Sequence, residues 1–187
     1  LEAHDVTHLG ALLQNLHRGQ FTIGAGSSYD EYVRYRTSLT GRFYLLTTWC
    51  RYRDLFRSLA PPGVAVDFPP IGNPAGIDVS GTTIPLHALR YACHALEMLQ
   101  WLRDIPDAVV VEIGGGIGGQ AYQMLHLAGP GADAGTRRPP AKYLVFDLPE
   151  VAAVCSYVLL AAFPERRIRL FGEGPVATDS SEDYDLG

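Results

Sequence analysis

Cysteine is scarce in this chain, and its spacing excludes the usual uses of it. Cys50, Cys93 and Cys155 are the only three, far apart and each inside an apolar helical pattern. Without a Cys-x-x-Cys pair, neither a zinc site nor a redox motif is expected. Buried free thiols in a reducing, cytoplasmic setting are expected instead. Long hydrophobic runs are lacking too, and no apolar stretch has the length needed to span a bilayer. Positive charge is outweighed: 15 Lys and Arg stand against 20 Asp and Glu, a net charge of -5. Nucleic acid and anionic membranes are therefore not expected partners. No secretory leader is read at the start, where the first residue is Leu1 and not Met.

What is present is enough for a core. The 187 residues, 47% hydrophobic and 19% charged, fit one globular domain, or a core with a helical extension. The stretch that organises the chain is Val109-Val110-Val111-Glu112-Ile113-Gly114-Gly115-Gly116-Ile117-Gly118-Gly119. Val109 to Ile113 is a short β-branched run, the pattern of a parallel strand covered on both faces. Gln120 to Leu127 then has helical spacing. A strand, a glycine turn and a helix start make a cofactor cradle. Glycines let a ligand approach the backbone, and the helix N–H groups favour an anionic group.

Ahead of this stretch the chain reads as mainly helical over residues 1–105. Val6 to Leu16 fits a short amphipathic helix and 19–28 a loop, with Ser28 and Glu31 as a capping box. A long helical pattern covers Tyr29 to Leu59, with a break expected near Gly41. Its aromatic and aliphatic residues are expected on a core, and its interleaved arginines in water or ion pairs. The functional alternative is that some of these arginines hold an anionic acceptor such as a phosphorylated sugar. Residues 60–85, rich in Pro and Gly, form a connector, with a hairpin turning at Ser80-Gly81. Leu86 to Arg103 is a second helix. His87 and His94 lie seven apart on it, so on one face, beside Arg90 and Tyr91, as candidate substrate-facing groups.

After the glycine segment, 129–140 is an irregular loop. Tyr143 to Phe146 is a second strand ending in Asp147-Leu148-Pro149-Glu150. Glu150 to Phe163 is a helix, Arg167 to Phe171 a third strand, and Asp183 to Gly187 the approach to a fourth. The alternation predicts an α/β fold with a Rossmann-like, doubly wound parallel sheet over residues 106–187.

The glycines alone leave the cofactor open. Gly114, Gly116 and Gly119 satisfy the G-x-G-x-x-G of a nicotinamide dinucleotide site. Glu112, Gly114, Gly116 and Gly118 equally satisfy the acidic-x-G-x-G-x-G of S-adenosylmethionine-dependent methyltransferases. A carboxylate at Glu112 repels a pyrophosphate by on the order of 1 kcal/mol in a partly desolvated site, but suits the ammonium and sulfonium of S-adenosylmethionine. Asp147, at the end of the next strand, can accept ribose hydroxyls in either case.

Val110 to Gly119, followed by Phe146-Asp147-Leu148-Pro149-Glu150-Val151, resembles class I methyltransferases. More narrowly it resembles the bacterial sugar O-methyltransferase family, as do Ile71-Gly72-Asn73-Pro74 and the helix carrying Leu89-Arg90. The resemblance covers about residues 68–187. The same signatures occur in small-molecule O-methyltransferases resembling the plant phenolic type. It implies S-adenosyl-L-methionine as cofactor, with Gly114, Gly115, Gly116 and Gly118 giving backbone access and Glu112 orienting the methionine end. It further implies Asp147 on the ribose hydroxyls, Leu148 on adenine and Glu173 at the adenine edge. The implied reaction is methyl transfer to a hydroxyl of a sugar or other small-molecule acceptor.

No catalytic base is identified, and no metal is assigned. In such folds these groups often follow later strands, and the strand that would pair beside the first lies beyond Gly187. The chain is therefore expected to be a piece of a longer protein, with an open edge on Val109–Ile113 and a possible homo-oligomer. An NAD(P)-dependent oxidoreductase and a non-catalytic nucleoside-binding domain remain as alternatives.

Overall fold

The computed structural model describes residues 3–19, 29–128 and 140–173. The chain divides into two compact units, Leu1–Cys93 and His94–Gly187, and the dividing line falls inside one continuous helix. The boundary expected at 105/106 lies just past the end of that helix. The cap expected at Ser28, most of the 129–140 loop and the approach to a fourth strand fall outside the described residues.

The first unit begins with α1 (Ala3–Gln14), α2 (Tyr29–Thr37) and α3 (Leu39–Leu59). The long helical pattern breaks near Gly41 as expected, at Ser38 between α2 and α3. Ser38 is extended (φ -97°, ψ 147°), and its hydroxyl accepts the Gly41 N–H at 3.1 Å. A serine that satisfies an orphan helix donor starts a new helix where the pattern alone sees continuity. Gly41 is buried inside α3, because a Cβ there would overlap the Tyr35 carbonyl of α2. α3 also departs from expectation in its burial. Phe56 is buried, but Leu39, Phe43 and Leu46 are exposed. The helix that packs on it, α2, has 9 residues against its 21 and cannot cover all its sides. Arg34, Arg36, Arg42, Arg51 and Arg57 are exposed, and Arg53 pairs with its neighbour Asp54 at 2.9 Å.

The connector carries the expected hairpin, β1 (Ile77–Val79) antiparallel to β2 (Thr82–Ile84). Ser80 and Gly81 both have positive φ, 51° and 88°, the two-residue turn that matches strand twist. α4 (Leu86–Leu102) follows. Its buried residues Leu89, Ala92, Cys93, Leu96 and Leu99 keep the helical period read from the sequence. All three cysteines are free thiols; Cys93 and Cys155 are buried and Cys50 half-buried.

The second unit contains β3 (Val109–Ile113), α5 (Gly119–Leu127), β4 (Lys142–Phe146) and α6 (Pro149–Ala162). β3 and β4 are parallel, in register from Val109↔Lys142 to Ile113↔Phe146. The molecule is thus a mixed α/β protein with a two-stranded parallel sheet and a separate hairpin. Two expectations are corrected here. β3 is not covered on both faces: Val110 is 7% exposed, whereas Val111 is 55% and Ile113 86%. Alternate side chains point to opposite faces, and the face of Val110 and Tyr143 is the buried one. The third strand expected at 167–171 is reduced to an isolated bridge at Ile168. The Leu170 N–H, which a longer ladder would use, instead donates to the Glu173 carboxylate at 2.9 Å. Among the described residues no helix is long and apolar enough to cross a membrane.

Two imidazoles in the first unit tie its stability to pH. His17 and His87 stack with ring centroids 6.3 Å apart, and Phe68 meets them edge-on at 5.5 and 5.9 Å. Burial lowers His17 to about 4. Burial, then the charges of His17 and Arg90, lower His87 to about 3. The unfolded chain takes up these protons near pH 6.5 and the native state does not. The stability that the neutral rings confer is complete above about pH 6.5 and is lost as pH falls toward 4 and then 3. The urea midpoint is expected to decline across that window, and less steeply in His17→Phe. A wild-type midpoint that stays flat from pH 6.5 to 4 would contradict this.

Candidate functional site

The second unit gathers chemistry where β3 ends. Gly114, Gly116 and Gly118 have φ of 79°, 58° and 79°, left-handed values that side chains resist. Gly115 is needed for a different reason: a Cβ there would overlap Val145 Cγ1 of β4 and lie 3.6 Å from Glu112 Oε2. At Gly118 both reasons apply, since a Cβ would come within 2.9 Å of Cys155 Sγ and 3.1 Å of Leu159 Cγ on α6. The chain therefore turns tightly between β4 and α6 before α5 begins.

A carboxylate closes the turn. Asp147 Oδ2 accepts the Gly116 N–H at 2.8 Å, and Oδ1 accepts the Leu148 N–H at 2.8 Å. The ladder between the strands runs one step further through Gly114 N–H to Phe146 O, 2.8 Å. Beneath Gly115, Glu112 Oε2 accepts the Tyr143 hydroxyl at 3.0 Å. Burial raises the Glu112 carboxyl above its ordinary range. The Tyr143 hydrogen bond pulls the other way, and the Asp147 charge adds to the rise. Tyr143 is itself raised, by burial and then by the Glu112 charge. Burial, with the charges of Glu112 and Asp147, pushes the Cys155 thiol up to about 12, so it is an inert packing group and not a nucleophile.

The outer side of the turn is open. Gly115 to Gly118 are buried, but nothing lies within 4 Å of the place a Gly114 Cβ would occupy. Ile113, Phe146 and Leu148 are exposed around it, Leu148 at 67%. The result is an apolar shelf with backbone open at Gly114 and Asp147 across the turn, at the carboxyl ends of parallel strands, with Glu112 beneath. Open α/β sheets take ligands at such ends. Among the described residues no group of three or more His, Cys, Asp or Glu is placed to hold a metal ion.

Of the residues singled out in the sequence, Glu112, Gly114, Gly115, Gly116, Gly118, Asp147 and Leu148 come together at this turn. Glu173 sits on a local turn of its own, with its carboxylate on the Leu170 N–H and its own N–H bonded to Leu170 O at 3.2 Å. His87 and His94 lie on one side of the continuous helix α4, as their spacing suggests, but in different surroundings. The His87 Nε2 is buried in the first unit, and His94 is exposed. Sequence reasoning missed Tyr143, Val145 and Cys155 as supports of the turn. The signal for Tyr143 is the register: Glu112 pairs with Val145 and Val110 with Tyr143, so Tyr143 shares the face of Glu112 one pleat away.

The contact at Gly115 yields a test of this packing. Gly115→Ala is expected to cost about 1–3 kcal/mol of stability, because Val145 is stiff at χ1 and cannot swing aside. Val145→Ala in the same chain should recover part of that loss, a coupling of at least about 0.5 kcal/mol in a urea double-mutant cycle. Simple additivity would show that the two residues do not touch as described.

No family model, curated protein or solved structure matches the chain, so its function is read from the residues just described.

Proposed function

We propose that the second unit is the cofactor-binding half of a class I, Rossmann-like methyltransferase. In this reading it binds S-adenosyl-L-methionine for transfer of a methyl group to a hydroxyl of a sugar or sugar-containing metabolite. The observation that carries the reading is the pair of carboxylates at the ends of adjacent parallel strands, Glu112 under the glycine turn and Asp147 across it. A pyrophosphate would need the loop N–H groups, and Gly116 already gives its N–H to Asp147 at 2.8 Å. The acidic setting favours a cofactor whose charged end is cationic over a dinucleotide. The open backbone at Gly114 and the exposed Leu148 and Ile113 fit a ribose and a flat base.

When bound, S-adenosylmethionine supplies a methyl group already activated on sulfur. The residues here would bind and orient. Each Asp147 oxygen holds one backbone N–H and keeps lone-pair capacity for a ribose hydroxyl. Glu112 would balance the charge of the methionine end, and the glycine turn would fix the direction of approach. Neither histidine is assigned as a base, since burial in the first unit leaves His87 only weakly basic and His94 stands in water.

Calorimetric titration of the full chain with S-adenosylmethionine, S-adenosylhomocysteine, NAD and NADP tests the reading. The two sulfur compounds should bind at micromolar concentrations and the dinucleotides should not. Asp147→Ala should weaken binding at least about tenfold, the loss of one to two charge-assisted hydrogen bonds. Binding of the dinucleotides alone would overturn the proposal in favour of an oxidoreductase.

The electrostatics of Glu112 add a second expectation. Its raised carboxyl takes up a proton above the ordinary carboxylate range, so affinity for S-adenosylmethionine should fall on acidification earlier than it would for a solvated glutamate. Tyr143→Phe removes the hydrogen bond that favours the ionised form and should move the midpoint of that fall to higher pH. An unmoved midpoint would show that Glu112 does not face the cofactor charge.

A further inference from the structure

The net charge of -5 conceals an uneven distribution. Residues 29–59, which form α2 and α3, hold six arginines, no lysine and three acidic residues. This stretch is positive inside a negative chain, so the net charge of the whole does not argue against its meeting an anionic surface. We propose that the outer face of α3 docks on the surface of an anionic lipid bilayer, lying along it without crossing it. The proposal stands on the first unit alone and is independent of the cofactor assigned to the second.

The two sides of α3 are told apart by what touches them. On the inner side Gly41 comes against the Tyr35 carbonyl of α2, Phe56 is buried, and the Tyr52 carbonyl accepts the Cys93 thiol of α4 at 3.4 Å. Leu45, Thr48 and Tyr52 also line a cavity of about 270 Å³ together with tyrosines of α2. On the outer side Leu39, Phe43 and Leu46 are 84%, 70% and 58% exposed. Their spacing of four and three residues sets them on one line along the helix. Large apolar side chains standing together in water mark an interaction surface.

The residues that continue this line indicate what covers it. The same four-three spacing runs on through Cys50 to Arg53 and Arg57, and Arg42 flanks it between Leu39 and Leu46. A partner helix laid along the seam would have to bury those guanidinium groups, at a desolvation cost. A bilayer surface does not ask this. The apolar residues enter the boundary between headgroups and acyl chains, and the arginines reach the lipid phosphates while their stems stay on apolar surface. The planar guanidinium fork also takes phosphate oxygens in pairs. α3 has one acidic residue, Asp54, and it pairs with Arg53 at 2.9 Å. Arg42, Arg51 and Arg57 are exposed, with no other carboxylate on their helix. Apolar residues for insertion and excess positive charge for the phosphates thus share one element.

The test floats the full chain with vesicles of phosphatidylcholine, alone or with about one quarter phosphatidylglycerol. The anionic vesicles should bind at least tenfold more tightly, and that binding should weaken as salt rises. Arg42→Gln together with Arg57→Gln should weaken it at least tenfold, at about fivefold for each charge lost. Phe43→Ser together with Leu46→Ser should also weaken it at least tenfold, with the melting temperature level or higher because both residues are exposed. Phe43→Trp gives a readout that needs no loss of binding and decides the matter if the serine pair unfolds the chain. On anionic vesicles its fluorescence should be quenched by brominated acyl chains, above the background of Trp49 and Trp101 in the parent chain. The proposal is overturned if anionic vesicles do not bind, if binding survives both double substitutions, or if the chain floats with Phe43→Trp unquenched, which would put another surface on the lipid. It is also overturned if sedimentation without lipid shows a dimer that the serine pair dissociates, because the face would then belong to a second copy of the chain.

Discussion

The second unit depends on one carboxylate. Asp147 sits where β4 ends, and its two oxygens hold the N–H of Gly116 from the glycine turn and the N–H of Leu148 from the start of α6. Two segments, 31 residues apart in the chain, meet at that side chain. The turn can approach so closely only because Gly115 lacks the Cβ that would strike Val145, and Gly118 the one that would strike Cys155. Hydrogen bonds to an ionised acceptor are about twice as strong as neutral ones. The clamp thus fixes the backbone geometry and leaves its outer lone pairs for a ligand.

Glu112 and Tyr143 form the layer beneath. Burying a carboxylate is costly unless it is hydrogen-bonded, and the Tyr143 hydroxyl supplies the bond. What remains is a carboxyl raised by desolvation and held in place by Tyr143. The shape of the turn and its local stability draw on the same contacts, so a substitution in the turn bears on both.

The first unit solves a different problem. Its helices leave large apolar residues such as Phe43 in solvent, and its ordered interior is aromatic, from the stacked imidazoles of His17 and His87 to the tyrosine walls of the cavity. Neutral imidazoles pack there because burial favours their uncharged form.

The sequence by itself determined the local elements. β-branched residues at 109–113, glycines after them and an apolar period through α4 and α6 dictate strand, turn and helix, because these depend on neighbours three or four residues away. The Ser80-Gly81 turn was legible for the same reason, and so was the grouping of Glu112, the glycines and Asp147, which follows once the two strands are parallel. Tertiary structure alone decided the rest. The close approach of α2 to α3 at Gly41 depends on how the two helices pack. The open face of β3 depends on how many helices cover it. The Tyr143–Glu112 bond depends on strand register. The burial of His87 and the exposure of His94 depend on what packs on each end of α4, and the capture of Glu173 by its own turn on a backbone donor that a longer ladder would have used. Each of these is settled by segments distant in sequence competing for the same surface or the same hydrogen bond, and a local pattern carries no record of that competition.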